Sequence, residues 1–223
     1  MPDVKSEGAT RTQSVDMHNF TWKGASALGR VHALNERCLE LLSQLARSDA
    51  KKISPEIVQR HRVLWCSLNP KARERAAQVP FLLVDAHFMD APWWRWASDR
   101  AVRRRKFPTR NPFSGRVAGE LMRETLVLAW STVALDRTAA SILLGMAPDV
   151  SAMIAEWDVH DVERIAARQS RYLQLRWDDL PLFWSRLLNA AVEGDEDVLH
   201  ACHLHGIQLL GGQLLPLLER TRV

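Results

Sequence analysis

The chain is predicted to fold as an all-α, multi-helix bundle with a helix-turn-helix-like unit in its C-terminal half. Three observations predict this. Apolar residues recur every three or four positions along most of the chain, which is the helical period. Helix-start signals, a capping Ser, Asn or Asp beside a proline, recur between those stretches. Period-two alternation is confined to Tyr172–Trp177, enough for a single extended strand.

The elements follow in order. Residues 1–25 are rich in Ser, Thr, Gly and charge and read as a disordered arm, with Phe20 and Trp22 available for docking. Leu28, Val31, Leu34, Cys38, Leu41, Leu42 and Leu45 define a first amphipathic helix ending at Arg47. Ser54-Pro55 starts a second, through Ile57 and Trp65, and Asn69-Pro70 starts a short third. Pro80 is expected to open a helix carrying Phe81, Leu82, Val84 and Phe88, with a break at Asp90-Ala91-Pro92. Phe107–Gly115 holds two prolines and a glycine and marks a boundary. The expected units are therefore an N-terminal helical domain (26–99), a basic linker (100–115) and a C-terminal helical domain (116–223). Beyond the linker, helices are expected over Gly115–Leu135, Asp136–Gly145, Pro148–Trp157, Val159–Tyr172 and from Asp178 to Gly194. Gly206, Gly211, Gly212 and Pro216 are expected to break the final stretch.

Composition narrows the function classes. With 223 residues there is enough chain for one large domain or two small ones. The cysteines, Cys38, Cys66 and Cys202, make no C-x-x-C pair and no even framework, so a reduced compartment is expected. No secretory signal is visible, and the apolar runs Thr125–Leu135 and Ile207–Leu218 fall short of the roughly 20 residues a bilayer requires. A soluble cytoplasmic protein is the expectation. Formal net charge is only +4, but Arg95–Arg116 holds eight cations against Asp99 alone, a local +7 that leaves −3 for the remainder. Within that strip Arg103, Arg104, Arg105, Lys106 and Arg110 are the densest cluster. Such a cluster releases counterions from a phosphate backbone and binds nucleic acid without reading sequence. A solvated linker is the competing reading. Trp93, Trp94 and Trp96 precede the strip and are expected to pack the core rather than to stack on bases.

The informative region is Leu135–Trp177. Three short helices in a row, turning at Gly145-Met146-Ala147 and Trp157-Asp158-Val159, have the layout of a helix-turn-helix unit. On the third, Arg164, Arg168 and Arg171 share one face, while Val162, Ile165, Ala166 and Tyr172 share another. A guanidinium fork suits phosphate and guanine edges. Equally, three arginines on a helix are commonly a solvated face, and Asp136–Asp179 carries eight acids against five bases.

The run Leu135-Asp-Arg-Thr-Ala-Ala-Ser-Ile-Leu-Leu-Gly-Met-Ala-Pro-Asp-Val, followed by Ile165-Ala166 and Leu175-Arg176-Trp177, resembles the FlhD-type flagellar transcriptional regulators. The resemblance covers Leu121–Trp177, about a quarter of the chain. It implies an all-helical dimer that regulates transcription of flagellar or related genes with an FlhC-like partner supplying much of the DNA contact. Residues 1–110 have no counterpart in that family, the four-cysteine zinc site of FlhC is absent, and Leu175-Arg176-Trp177 stands where the family has two phenylalanines around the basic residue.

Other candidate sites are weaker. His200, Cys202, His203 and His205 suggest a soft metal, but Cys202 points away from His200 on a helix and no further ligand completes a set. Asp85 and His87 diverge on a helix, and with Asp90 they read as a polar edge. No nucleophile elbow, phosphate loop, dinucleotide fingerprint or His-Glu-x-x-His occurs, so an enzyme is not expected and no cofactor is assigned. The expected function is a DNA-associated transcriptional regulator, homo-oligomeric or partnered. The alternative is a helical protein-interaction module that docks through Leu209, Leu210, Leu214 and Leu217 without touching DNA.

Overall fold

The computed structural model describes residues 25–48, 56–99 and 111–220. The expected N-terminal arm lies outside the described residues but for Ala25, as does most of the expected basic linker. The described residues form an all-α multi-helix fold with one short antiparallel ribbon. The helices are α1 (Ala25–Arg47), α2 (Glu56–Arg60), α3 (Arg62–Ser67), α4 (Pro70–Ala77), α5 (Ala91–Ser98), α6 (Gly115–Leu135), α7 (Arg137–Leu144), α8 (Pro148–Ala155), α9 (Val159–Gln169), α10 (Pro181–Glu193) and α11 (Glu196–Arg220). The ribbon pairs β1 (Val84–Asp85) with β2 (Gln174–Leu175).

Helix ends follow local chemistry. The side chains of Asn69, Asp90, Asp136, Asp158 and Asp195 each accept a bond from a first-turn backbone N–H, satisfying donors that lack an intrahelical partner. Gly145 (φ 61°) and Gly194 (φ 77°) end α7 and α10 in the left-handed conformation that glycine adopts without a Cβ penalty. Arg75 Nη1 also donates to the Ala191 carbonyl at 2.6 Å, capping α10 from another helix.

Helices from both sides of the 100–115 stretch share one core. α1 packs on α3 and α4 and also on α6; α10 packs on α3, α4 and α11. Trp65 and Trp184, both fully buried, meet with ring centroids 5.6 Å apart. α6 lies in the middle, against α1, α7, α8 and α9. Its buried hydroxyls, Thr125 and Thr132, donate to the carbonyls of Leu121 and Leu128 one turn earlier, so they cost little.

Two expectations are corrected. Pro80–Phe88 is not a helix. Its backbone is engaged elsewhere: fully buried Asn35 donates to the Phe81 carbonyl (2.8 Å) and accepts from Leu83 N–H (2.8 Å). Leu82 N–H bonds the Leu143 carbonyl, and Arg176 N–H bonds the Leu83 carbonyl. With those groups bonded across the fold, Val84–Asp85 pairs as a strand with the extended piece read at Tyr172–Trp177. The final stretch is also unbroken. Gly206 is buried against the Phe81 ring, where a Cβ would stand 2.1 Å from Phe81 Cζ, so close packing outweighs the poor helix propensity of glycine. Pro216 lies inside α11 near its end, and the Gly212 carbonyl it leaves without a donor is on exposed backbone that water can satisfy. No described helix is long and apolar enough to cross a membrane.

Candidate nucleic-acid interface

The sequence places its DNA-facing side chains on two stretches, α9 with the residues just after it, and the 100–116 strip. α9 starts at its Asp158 cap, buries Val162, Ile165, Ala166 and Gln169, and lies mainly along α6. A one-turn 3-10 helix, Ser170–Tyr172, continues it.

The three arginines do not form one ridge. Arg164 is half-buried, and its Nη2 donates to the Asp161 carboxylate at 2.5 Å, an ion pair one turn apart. Of the arginines assigned from sequence to this face, Arg164 is thus the one whose charge is paired within the helix. Arg168 and Arg171 are exposed, and neither joins an ion pair among the described residues. The Arg171 guanidinium lies 4.7 Å from the Tyr172 ring centroid, a cation–π contact that orients it. The first half of α9 carries Asp158, Asp161 and Glu163, and Glu163 is paired with Arg123 at 3.1 Å. A groove-reading helix presents its N-terminal residues to base edges. Here that end is acidic, and the unpaired cations sit at the other.

The flanks of the basic strip converge on that same end. α5, which ends next to Asp99, packs on α9, and Gln169 Nε2 donates to the Ala97 carbonyl at 3.4 Å. On the far side, Asn111 Nδ2 donates to the Ser170 carbonyl at 2.6 Å. Arg103, Arg104, Arg105, Lys106 and Arg110 themselves lie outside the described residues. They occupy the chain between two flanks held within three residues of Arg168 and Arg171.

Several other cations are paired. Arg37 pairs with Glu120 and Glu124, Arg116 with Glu120 and Arg95 with Asp149. Exposed pairs of this kind contribute little to stability, but they cancel charge that would otherwise face a polyanion. Trp93 and Trp94 are buried, and with His87, Phe88, Trp157 and Tyr172 they form a contiguous aromatic cluster. That burial removes both rings from base stacking.

The remaining candidates take other roles. Asp85 accepts from Gln174 Nε2 and Phe88 N–H, and Asp90 caps α5. His87, with φ 60°, stacks on Trp93 at 4.7 Å. Asp85, His87 and Asp90 nonetheless line one polar cleft of about 530 Å3, beside Gln174, Arg176 and Asp178. His200 and His203 are 6.4 Å apart between ring centroids, while Cys202 is turned into the core. Burial lowers the His203 pKa, and it raises those of the Cys38 and Cys202 thiols. All three cysteines are free. Among the described residues no group of three or more His, Cys, Asp or Glu could hold a metal ion.

The residue that sequence reasoning missed is Arg176. It is 5% exposed and donates from Nε to the Leu82 carbonyl (2.9 Å) and from Nη2 to the Leu144 carbonyl (2.8 Å), with Asp85 at 3.7 Å. The basic residue of the Leu175-Arg176-Trp177 ending thus braces the Leu144-Gly145 corner from inside. In the sequence it stood out only as a charge between apolar residues in the extended piece and as part of the ending that carries the resemblance. The docking face proposed from sequence is also corrected: Leu210 and Leu214 are buried and Leu209 and Leu217 partly so, because α11 turns that side toward the body. Compared with known proteins, the chain matches no family model, no curated protein and no solved structure.

Proposed function

We propose that this protein is a DNA-associated regulator that holds the duplex by its phosphate backbone. The contact surface comprises Arg168 and Arg171 together with Arg103, Arg104, Arg105, Lys106 and Arg110. One observation carries the reading. Both flanks of the strongest cation run in the sequence are bonded to the end of α9 where two arginines are exposed and, among the described residues, join no ion pair. Like charges concentrated on one surface repel one another, and a polyanion relieves that repulsion. The acidic start of α9 argues for phosphate contact over base reading, so sequence preference would come from a partner or from duplex shape. Transcriptional control, of flagellar or other genes, is the proposed use of that contact.

The test is fluorescence anisotropy with a labelled random duplex over a salt series. Binding should weaken steeply with salt, and Arg168→Glu/Arg171→Glu should lower the log–log slope by roughly 1.8, about 0.9 per lost phosphate contact. Reversing the 103–106 cluster should lower it further. Salt-independent binding, or a double variant indistinguishable from the parent, refutes the reading. The second reading, an interaction module without DNA contact, is favoured by the exposed Leu204, Ile207 and Leu215 on α11. It predicts no binding even at low salt.

A further inference from the structure

The polar cleft of about 530 Å3 has no part in the proposed DNA surface. It opens where three segments far apart in sequence meet: the turn between β1 and α5, the turn between β2 and α10, and α11 at Gln213 and Leu217. Its carboxylates, Asp85, Asp90, Asp178 and Asp179, outnumber its single guanidinium, Arg176. That guanidinium is already committed to two carbonyls, with Asp85 3.7 Å away. Asp179 is exposed and joins no ion pair or hydrogen bond among the described residues, and Asp90 uses Oδ1 to cap α5. A recess lined by one sign of charge focuses the field and concentrates the opposite charge. The acids come from both turns and do not gather into a metal set: among the described residues no three His, Cys, Asp or Glu are placed to hold an ion. An extended organic cation can bridge carboxylates that a single metal ion cannot.

Two observations point to an occupant. Trp177 lines the cleft, is 7% exposed, and packs its ring on Phe81 and Phe183. Its indole N–H is buried and has no acceptor in the protein. A buried donor without a partner is costly, and native folds keep few of them. Independently, His87 (φ 60°) and Trp177 (φ 54°) are the residues other than glycine with left-handed backbone among those described, and both line this cleft. Such backbone is strained for bulky side chains and gathers at ligand-binding positions.

We infer that the cleft binds a small organic cation, an amine or guanidine that also carries a carbonyl or hydroxyl oxygen. Asp90 and Asp179 hold the charged groups through charge-assisted hydrogen bonds. The oxygen accepts from the Trp177 N–H. Leu175, Leu217 and Pro92 give the carbon skeleton apolar contact. This site does not rest on the DNA reading and stands or falls without it.

The test is isothermal titration calorimetry of the full chain with L-argininamide, a dication with a carbonyl oxygen at mildly acid pH, and with agmatine, the same dication without the carboxamide. L-Argininamide should bind with a Kd of about 1 mM or tighter. Agmatine should bind roughly fivefold more weakly, the worth of one hydrogen bond, and succinate, a dianion, should not bind. Asp90→Asn/Asp179→Asn keeps the α5 cap, because Asn caps as well as Asp, and should weaken binding roughly tenfold or more. Should that variant lose helix by circular dichroism, Gln213→Arg makes the same test by adding a cation at an exposed lining position. In isotope-labelled protein the assigned Trp177 indole resonance should move when L-argininamide is added. No saturable heat up to about 10 mM L-argininamide, which would leave the cleft to a side chain of another protein, overturns the inference. So does binding that both variants leave unchanged, succinate binding equally well, agmatine as tight as L-argininamide, or a Trp177 indole that does not move.

Discussion

Replacing Arg176 tests how the Leu144-Gly145 corner is held. Arg176→Met keeps most of the side-chain volume and removes the guanidinium. Two buried carbonyls, Leu82 and Leu144, then lose their donors, and Asp85 loses its cationic neighbour. An unsatisfied buried acceptor costs about 1–3 kcal/mol, and breaking a buried charge pair from one side costs about 3–5 kcal/mol. Asp85 keeps the bonds from Gln174 and Phe88 and is partly exposed, so the lower part of that range applies, about 3–4 kcal/mol. For a chain of 223 residues each kcal/mol shifts Tm by about 2–4 °C. The expected fall is about 6–16 °C by circular dichroism. Adding Asp85→Asn should recover part of the loss, because the second substitution removes the stranded carboxylate. A Tm within about 2 °C of the parent, which corresponds to less than 1 kcal/mol, would show that the guanidinium does not brace the corner. So would a double variant as unstable as the sum of the two single ones.

Two further predictions follow from packing and burial. Gly206→Ala should destabilise by about 1–3 kcal/mol through overpacking, because its Cβ would meet a Phe81 ring that is itself held between Trp177 and Phe183. Gly29→Ala, on an exposed helix position with nothing within 4 Å, should stabilise by about 0.5–1 kcal/mol; urea titration of the pair reads the opposite signs. The pH dependence has a definite direction as well. Burial lowers the pKa of His32, His61 and His203 below the usual value of 6.5, so the unfolded chain binds protons that the folded chain resists. Their contribution to stability is whole above pH 6.5 and is lost as the pH falls below it. Urea midpoints measured downward from pH 7.5 should decline, and His32→Gln/His203→Gln should flatten the decline; a parent whose midpoint is flat across that window contradicts the burial argument.

Helix starts and stops were legible in the sequence because they are settled within one turn. Asn69, Asp136, Asp158 and Asp195 bond backbone N–H groups two or three residues ahead, and Gly145 and Gly194 relieve a local steric clash, so no distant residue has to be known. The apolar spacing of α1 and α6 was legible for the same reason. The charge of the basic strip could also be counted without a structure. What could not be read were choices that need a partner far along the chain. Phe81–Phe88 has helix-compatible spacing, yet Asn35, Leu143 and Arg176 claim its backbone from 46, 61 and 94 residues away. α11 contains breakers that predict fragments, yet Phe81 makes Gly206 an asset. Arg164 and Arg168 look alike on a helical wheel, and only the tertiary structure, in which Arg164 is half-buried and paired with Asp161 while Arg168 is exposed, tells them apart. The sequence by itself determined the helices and where the charge is concentrated, because capping and periodicity act over a few residues. Tertiary structure alone decided which faces are covered, which arginine is buried and which remain free to meet a partner, because burial is a property of contacts between segments that the chain order keeps apart.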